Sequence, residues 1–253
     1  VFAATAPVAA FAQRQLIEPE PSTDRAEGQL AKATRHMIST ANRHASEAGR
    51  EMLRAGGSAT DAAIAAQLVL GLVEPQSSGL GGGAFLMHWD QAKGALAAYD
   101  GRETAPATAK PDRFLADGKP MSFPRAVRSG LSIGTPGLPR LLWDAHQRHG
   151  KLPWARLFDP AIRLADSGFK VSRRLNLLLR LNGPGVFDAT ARSYFFDGDG
   201  AARPVGFLLK NPAYAATLRA LVEKGPDGFY AGPVADAILT AVANAPNAKG
   251  DLS

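Results

Sequence analysis

Small and apolar side chains recur at helical spacing where the folded part of the chain begins. The segment 46–54 predicts a helix that ends at the glycine pair 56–57, because glycine adopts the left-handed conformation that closes a helix. Ser58 or Thr60 then caps a second helix over 61–73, which carries few polar side chains on any face. We therefore expect the second helix to be buried, with the small faces of the two helices packed together.

The pattern then changes to short extended runs. Residues 85–89 and 95–99, separated by a turn at Lys93-Gly94, predict an antiparallel hairpin. Arg102 follows the second strand directly. From residue 107 onward helical spacing dominates, with start signals such as Thr135-Pro136. The predicted helices in this part are 137–149, 154–166, 172–182, 211–223 and 233–243.

Composition and charge narrow the functional classes. With 253 residues, 45% of them hydrophobic, the chain is long enough to bury a sizeable core. Its 29 basic and 23 acidic residues give a formal charge of +6 that is spread over many segments, so we expect no nucleic-acid partner. The sequence contains no cysteine, which excludes disulfides, thiolate metal ligands and a cysteine nucleophile from this chain.

The first 35 residues differ from the rest of the chain. Residues 1–12 are mostly small or apolar and end in Ala10-Phe11-Ala12, which has the spacing of a secretory cleavage site. We interpret them as a residual signal peptide, which predicts a periplasmic or secreted protein; an ordinary apolar N-terminus is the alternative. The run is too short to span a bilayer, so no membrane partner is expected. Residues 13–35 are polar and predict a tether to a folded part over 36–253.

A glycine-rich turn followed by an arginine is the most specific chemical feature. Residues 79–84 fit the relaxed dinucleotide-binding pattern, but that site needs a strand before the glycines and a helix after them. Here a helix precedes and a strand follows, so we interpret the glycines as a tight connection. Arg102, between Gly101 and Glu103, could present two parallel donors to a carboxylate. A surface ion pair with Glu103 or Asp100 is the alternative.

The histidines do not show the spacing of metal ligands. We expect them to be solvated or capping residues, and we expect neither a metal nor a cofactor. They stand at positions 36, 44, 88, 146 and 149.

Several longer motifs occur in a fixed order along the chain. They are Ser46-Glu47-Ala48-Gly49 and the segments 56–63, 73–83, 100–106, 134–137, 159–165 and 225–230. In this order and spacing, from about residue 36 to the end, the chain resembles the N-terminal part of the large subunit in the γ-glutamyltransferase (γ-glutamyltranspeptidase) family. Several motifs in register are far more specific than any one of them alone.

The resemblance implies an α+β fold, a four-layer αββα sandwich of the N-terminal nucleophile hydrolase type that is incomplete in this chain. It implies one precursor that cuts itself into a large and a small subunit, so that the small subunit, the partner of this chain, begins with a nucleophilic threonine. That threonine attacks the γ-carbonyl of glutathione or another γ-glutamyl donor. Water, an amino acid or a peptide then accepts the γ-glutamyl group.

The resemblance places no catalytic residue in this chain. None of its threonines stands in the family's Thr-Thr-His context, and we interpret the end at 250–253 as a cut, so this part alone is expected to be inactive. The Gly-Arg-Glu-Thr-Ala-Pro match assigns Arg102 to the donor's α-carboxylate. Gly101 stands where some relatives carry a larger residue, so packing must decide how firmly the arginine is held. The alternatives are a glutaryl or cephalosporin acylase of the same family, or a non-catalytic binding protein that keeps Arg102.

Overall fold

The computed structural model of the protein describes residues 30–253. The interpreted signal peptide, residues 1–12, and most of the tether, residues 13–35, lie outside the described residues. Contacts divide the chain into two units, Val1–Ala31 and Lys32–Ser253. All helices and strands of the described residues belong to the second unit.

Helices make up most of this unit. Every helix predicted from the sequence is present, with ends shifted by a few residues at most. Three short helices were not predicted, because segments of four to seven residues are too short to show a period. The helices are α1 (Arg43–Arg54), α2 (Ala59–Val73), α3 (Phe123–Val127), α4 (Leu138–His149), α5 (Trp154–Ser167), α6 (Arg173–Asn182), α7 (Ala189–Phe195), α8 (Pro212–Lys224), α9 (Asp227–Tyr230) and α10 (Pro233–Ala243).

The strands of the described residues form three two-stranded antiparallel sheets. The largest is the predicted hairpin, in which Ala84 pairs with Gly101 at one end and Asp90 with Ala95 at the other. The two smaller sheets contain two residues a strand and were not predicted. The strands are β1 (Ala84–Asp90), β2 (Ala95–Gly101), β3 (Leu115–Ala116), β4 (Lys119–Pro120), β5 (Phe169–Lys170) and β6 (Leu208–Leu209), which pair β1 with β2, β3 with β4, and β5 with β6.

The two N-terminal helices pack through small residues, as expected. Ala45, Ala48 and Gly49 are buried on α1, and a Cβ added at Gly49 would lie 3.0 Å from the carbonyl oxygen of Ala62 on α2. Such close approach lets the backbones of two helices meet, which a larger side chain would prevent. Most of α2 is buried, which confirms the prediction made from its apolar composition.

Asp61 fixes the start of α2. Its side chain accepts the backbone N–H of Ser58, while the Ser58 hydroxyl accepts the N–H of Asp61, so the two residues form a capping box. The same carboxylate oxygen also accepts the N–H groups of Lys151 and Leu152 at 2.9 and 3.1 Å. Asp61 is fully buried, and it therefore joins the start of α2 to the loop between α4 and α5.

The core continues from α2 through α5 to α8. The Tyr214 hydroxyl on α8 donates to the carbonyl oxygen of Leu68 on α2 at 2.8 Å, and a Cβ added at Gly71 would lie 2.7 Å from that hydroxyl. Burial raises the pKa of Tyr214 well above its usual range. Hairpin β1–β2 packs against α4, and its inner face joins the same core through Leu86 and Tyr99.

The outer face of hairpin β1–β2 is apolar and exposed. Along β1 every second side chain points outward, and the register places β2 residues beside them. Exposed side chains on this face are Phe85, Met87, Trp89 and Leu96. We call these four residues the hairpin face. A contiguous exposed apolar surface of this kind usually marks an interaction site.

The mixture of helices and antiparallel hairpins agrees with the α+β class. Within residues 30–253, no helix combines the length and the hydrophobicity that a membrane crossing requires.

Candidate functional site

Arg102 lies immediately after β2, at the edge of a cleft. Its backbone N–H donates to the Asp100 side chain at 2.9 Å, which closes a tight turn at the end of the strand. The side chain is 73% exposed, and its Nε lies 3.5 Å from Oε2 of Glu103. The ion pair considered from the sequence is therefore present, but it involves one edge of the guanidinium in an open geometry.

Glycines line the backbone that carries Arg102. A Cβ added at Gly83 would lie 2.6 Å from the carbonyl oxygen of Gly101 and 2.9 Å from Cα of Arg102. A Cβ at Gly137 would lie 2.6 Å from the carbonyl carbon of Gly101, and one at Gly134 would lie 2.7 Å from the carbonyl oxygen of Thr104. Such distances leave no room for a side chain, so the loop is held by direct backbone contact.

Gly101 itself is buried against α4. A Cβ added there would lie 2.7 Å from Cβ and Cδ1 of Leu141. In this chain, glycine at position 101 is therefore matched by a leucine that fills the space. The arginine loop is packed on this side as closely as on the others.

Hydrogen bonds tie the same loop to its neighbours. Thr104 and Thr135 exchange two backbone hydrogen bonds, at 2.8 and 3.3 Å. The N–H of Leu138, at the start of α4, donates to the carbonyl oxygen of Gly82 at 3.1 Å. Segment 79–83 thus connects α2 to β1 and braces the arginine loop, which agrees with its interpretation as a tight connection.

The glycines of segment 79–83 are not equivalent. A Cβ at Gly79 or Gly81 would meet nothing within 4 Å, whereas a Cβ at Gly83 would overlap the arginine loop. Close approach therefore requires glycine at position 83.

The cleft beside Arg102 has a volume of about 460 Å³. Its charged side chains are Arg102, Glu103 and Arg113. A cleft of this size suits a small polar molecule. The remaining lining residues are Gly81, Thr104, Ala105, Pro106, Phe114, Leu131, Ser132, Ile133 and Gly134.

The two arginines of the cleft are held differently. The side chain of Arg113 is only 10% exposed, and its Nε donates to the carbonyl oxygen of Leu131 at 2.7 Å. Both of its terminal nitrogens donate to Asp251, Nη1 at 3.0 Å and Nη2 at 2.5 Å. Hydrogen bonds from Arg113 and Thr108 lower the pKa of Asp251 to about 2. Arg113 is thus engaged by protein groups, while Arg102 presents its charge to the cleft.

Three histidines are packed inside the unit, and for these the prediction of solvated or capping residues was wrong. The rings of His88 and His149 stack with centroids 3.7 Å apart. His149 Nε2 lies 2.7 Å from the Tyr99 hydroxyl, and His88 Nδ1 lies 3.1 Å from the Thr60 hydroxyl. His146 Nε2 donates to the carbonyl oxygen of Leu152 at 2.9 Å. Tertiary packing brings His88 and His149 together with each other, 61 positions apart, and with hydroxyl groups 28 and 50 positions away, so sequence spacing gave no signal of it.

Residues 45–253 match the family model described as gamma-glutamyltranspeptidase. The chain belongs to the gamma-glutamyltranspeptidase family. The motifs that surround Arg102, segments 73–83, 100–106 and 134–137, all lie within the matched residues.

Two curated relatives from the gamma-glutamyltranspeptidase comparison are 35% and 40% identical to this chain over the aligned residues. Glutathione hydrolase 2 of Arabidopsis thaliana is 40% identical over 197 residues, which are 78% of this chain and 33% of the relative. Glutathione hydrolase proenzyme of Bacillus subtilis (strain 168) is 35% identical over 207 residues, 81% of this chain and 35% of the relative. The chain thus spans about a third of the length of these curated relatives.

A solved gamma-glutamyltranspeptidase has the same fold over most of this chain. The crystal structure of the Helicobacter pylori enzyme superposes with a TM-score of 0.82 at 28% sequence identity. The superposition covers 89% of this chain and 64% of that one.

Proposed function

We propose that the whole protein is a gamma-glutamyltransferase or glutathione hydrolase, and that Arg102 binds the α-carboxylate of the γ-glutamyl donor. The observation that carries this proposal is a largely exposed arginine at the edge of a cleft, on a backbone held by glycines on several sides. A planar guanidinium on a rigid loop can offer a carboxylate two parallel hydrogen bonds. Membership of the family supports a γ-glutamyl compound such as glutathione as the donor.

The proposed reaction proceeds through a γ-glutamyl-threonine intermediate. The threonine Oγ attacks the γ-carbonyl carbon, the amide bond to the leaving amine breaks, and the hydroxyl proton passes to that amine. Water, an amino acid or a peptide then attacks the ester carbonyl, the bond to the threonine Oγ breaks, and the acceptor's proton restores the threonine hydroxyl as the γ-glutamyl group leaves on the acceptor. This chain supplies donor binding through Arg102, while the nucleophile belongs to the small subunit.

We propose that the small subunit comes from the same precursor by self-cleavage and completes a four-layer αββα sandwich. The hairpin face supports a second layer, because its four exposed apolar side chains stand on one side of a sheet whose other side already packs on helices. The name proenzyme of the Bacillus subtilis relative supports processing. Residues 1–12, interpreted as the end of a signal peptide, support export to the periplasm or the medium.

The test uses the complete protein, purified after expression of the whole gene. We expect two bands on a denaturing gel and release of glutamate from a γ-glutamyl anilide. Two bands without glutamate release, but with cleavage of a glutaryl or cephalosporin amide, would indicate the acylase. A single band that still binds glutamate would indicate the binding protein.

A further inference from the structure

Arg113 connects two parts of the cleft wall that are distant in sequence. It lies next to Phe114 on one wall segment, and through Nε it holds the carbonyl oxygen of Leu131 on the other. Leu131 begins the run 131–134, which lines the cleft as far as Gly134. The Arg113 side chain thus works as a cross-link within the wall.

The segment after α10 holds this cross-link from outside. We call residues 246–251 the strap. Asp251 of the strap accepts two hydrogen bonds from Arg113 and one from the hydroxyl of Thr108. Arg113 and Asp251 are both ionised, and the Arg113 side chain is nearly buried. Their contact is strong because the planar guanidinium matches the carboxylate in geometry.

Further contacts anchor the strap to residues 128–130, which directly precede the wall residues 131–134. The N–H of Gly130 donates to the carbonyl oxygen of Ala248 at 2.8 Å, and the Asn247 side chain donates to the carbonyl oxygen of Arg128 at 3.0 Å. A Cβ added at Gly130 would lie 2.8 Å from Cα of Gly250. The strap therefore contacts residues 108–113 on one side and 128–130 on the other, which lead directly into the wall residues 113–114 and 131–134.

We propose that Arg113 and Asp251 are a positioning pair that sets the shape of the donor cleft through the strap, without touching the donor. This inference rests on the proposed function only in taking the cleft as the donor site. The Arg113 guanidinium donates its hydrogen bonds to Leu131 and Asp251, so Arg102 is the cleft arginine that binds the donor's α-carboxylate. The low pKa of Asp251 keeps the pair ionised at neutral and mildly acidic pH.

The experiment compares three variants of the complete, processed protein. Asp251→Asn weakens the Arg113–Asp251 pair and leaves Arg113 partly unpaired. Arg113→Met with Asp251→Asn removes the pair and both charges together, so that no unpaired buried charge remains. Asp166→Asn is the matched control, because it breaks an arginine–aspartate pair with Arg219 that lies outside the cleft.

For Asp251→Asn and for the double variant we expect the KM for a γ-glutamyl anilide to rise roughly tenfold, while kcat changes by less than about twofold. Hydrogen exchange at the amide of Gly130 should accelerate in both, since the strap no longer protects it. Asp166→Asn should leave KM and this exchange unchanged.

Three results would overturn the proposal. A double variant with the KM of the unaltered protein would mean that Asp251 only neutralises Arg113. A lower KM in Asp251→Asn would mean that the released arginine binds the donor itself. Unchanged exchange at Gly130 in both variants would mean that the Arg113–Asp251 pair does not hold the strap in place. This measurement does not need γ-glutamyl activity. If the unaltered protein lacks that activity, the proposed function is refuted instead.

Discussion

At the scale of single residues, the proposed donor site depends on one exposed cation whose backbone is closely packed. Arg102 projects from a loop that three glycines and Leu141 contact directly. A long side chain loses entropy when it binds, and a fixed backbone limits that loss to the side chain itself. In the proposed donor site, the position of the guanidinium is therefore set largely by the packing of the loop that carries it.

Replacing Arg102 tests the carboxylate assignment. In the complete protein, Arg102→Ala should lower kcat/KM for the γ-glutamyl donor, because a charged hydrogen-bonded contact is lost. The loss of transition-state stabilisation should be about 1.5 to 3 kcal/mol. Arg102→Lys should also be impaired, since an ammonium cannot reproduce the two-pronged contact. Steady-state kinetics over a range of donor concentrations would measure both.

The matched control for this prediction is Arg43→Ala. Arg43 is 82% exposed and pairs with Glu47, so it resembles Arg102 in exposure and pairing but lies on α1. Its removal should not change donor kinetics. Equal effects of the two substitutions would show that Arg102 acts through general charge alone.

The glycine contacts lead to a second prediction at this scale. Gly83→Ala should destabilise the protein by about 1 to 3 kcal/mol, because the new methyl group would overlap the backbone of Gly101 and Arg102. It should also raise the donor KM, since the overlap displaces the arginine. Gly79→Ala, where a Cβ meets nothing within 4 Å, should be close to neutral. Thermal unfolding and donor kinetics of both variants would decide, and equal losses would contradict the packing argument.

At the scale of elements, α2 is the buried axis of the unit and Asp61 is its starting point. Asp61→Ala should lower the free energy of unfolding by about 2 to 4 kcal/mol, because the cap is lost and the N–H groups of Lys151 and Leu152 lose their acceptor. Ser58→Ala removes only a capping hydroxyl and should cost about 1 kcal/mol. Chemical denaturation would measure both. If Ser58→Ala cost as much as Asp61→Ala, the link to the α4–α5 loop would contribute nothing.

The same scale shows what sequence reasoning can reach. Helices α2 and α4 were predicted nearly to the residue, because caps and apolar composition are local signals. The strand pairs β3–β4 and β5–β6 were missed, since two-residue strands carry no period. Arg102 was singled out because a motif surrounds it. The Arg113–Asp251 pair was not, because its members lie 138 residues apart and each resembles an ordinary surface charge in sequence.

At the scale of the whole molecule, stability should depend on pH through the His88–His149 stack, which joins β1, β2 and α4 to α2. Burial first, and then electrostatic interactions with His88 and Lys93, lower the pKa of His149 below its ordinary 6.5. The groups around it are His88 and Thr60, the Tyr99 hydroxyl, Asp90, Lys93 and Arg148.

The sign of the effect follows from the direction of the shift. Below pH 6.5 the unfolded chain binds a proton at His149 that the folded chain still excludes, so stability falls as the pH falls toward the folded pKa. Above pH 6.5 this residue contributes no slope. His149→Gln should flatten the stability profile below pH 6.5 relative to the unaltered protein, measured by thermal unfolding. A profile equally steep in the variant would assign the slope to other groups.

The hairpin face has a practical consequence for handling the protein. Hairpin β1–β2 has no further strand beside it within the described residues, so the face with Phe85, Met87, Trp89 and Leu96 is bordered by open backbone edges. Exposed apolar strands with unpaired edges are templates for aggregation. Residues 30–253 produced as a separate polypeptide should therefore precipitate or form oligomers as concentration rises, and a charge placed at Met87 should keep them in solution.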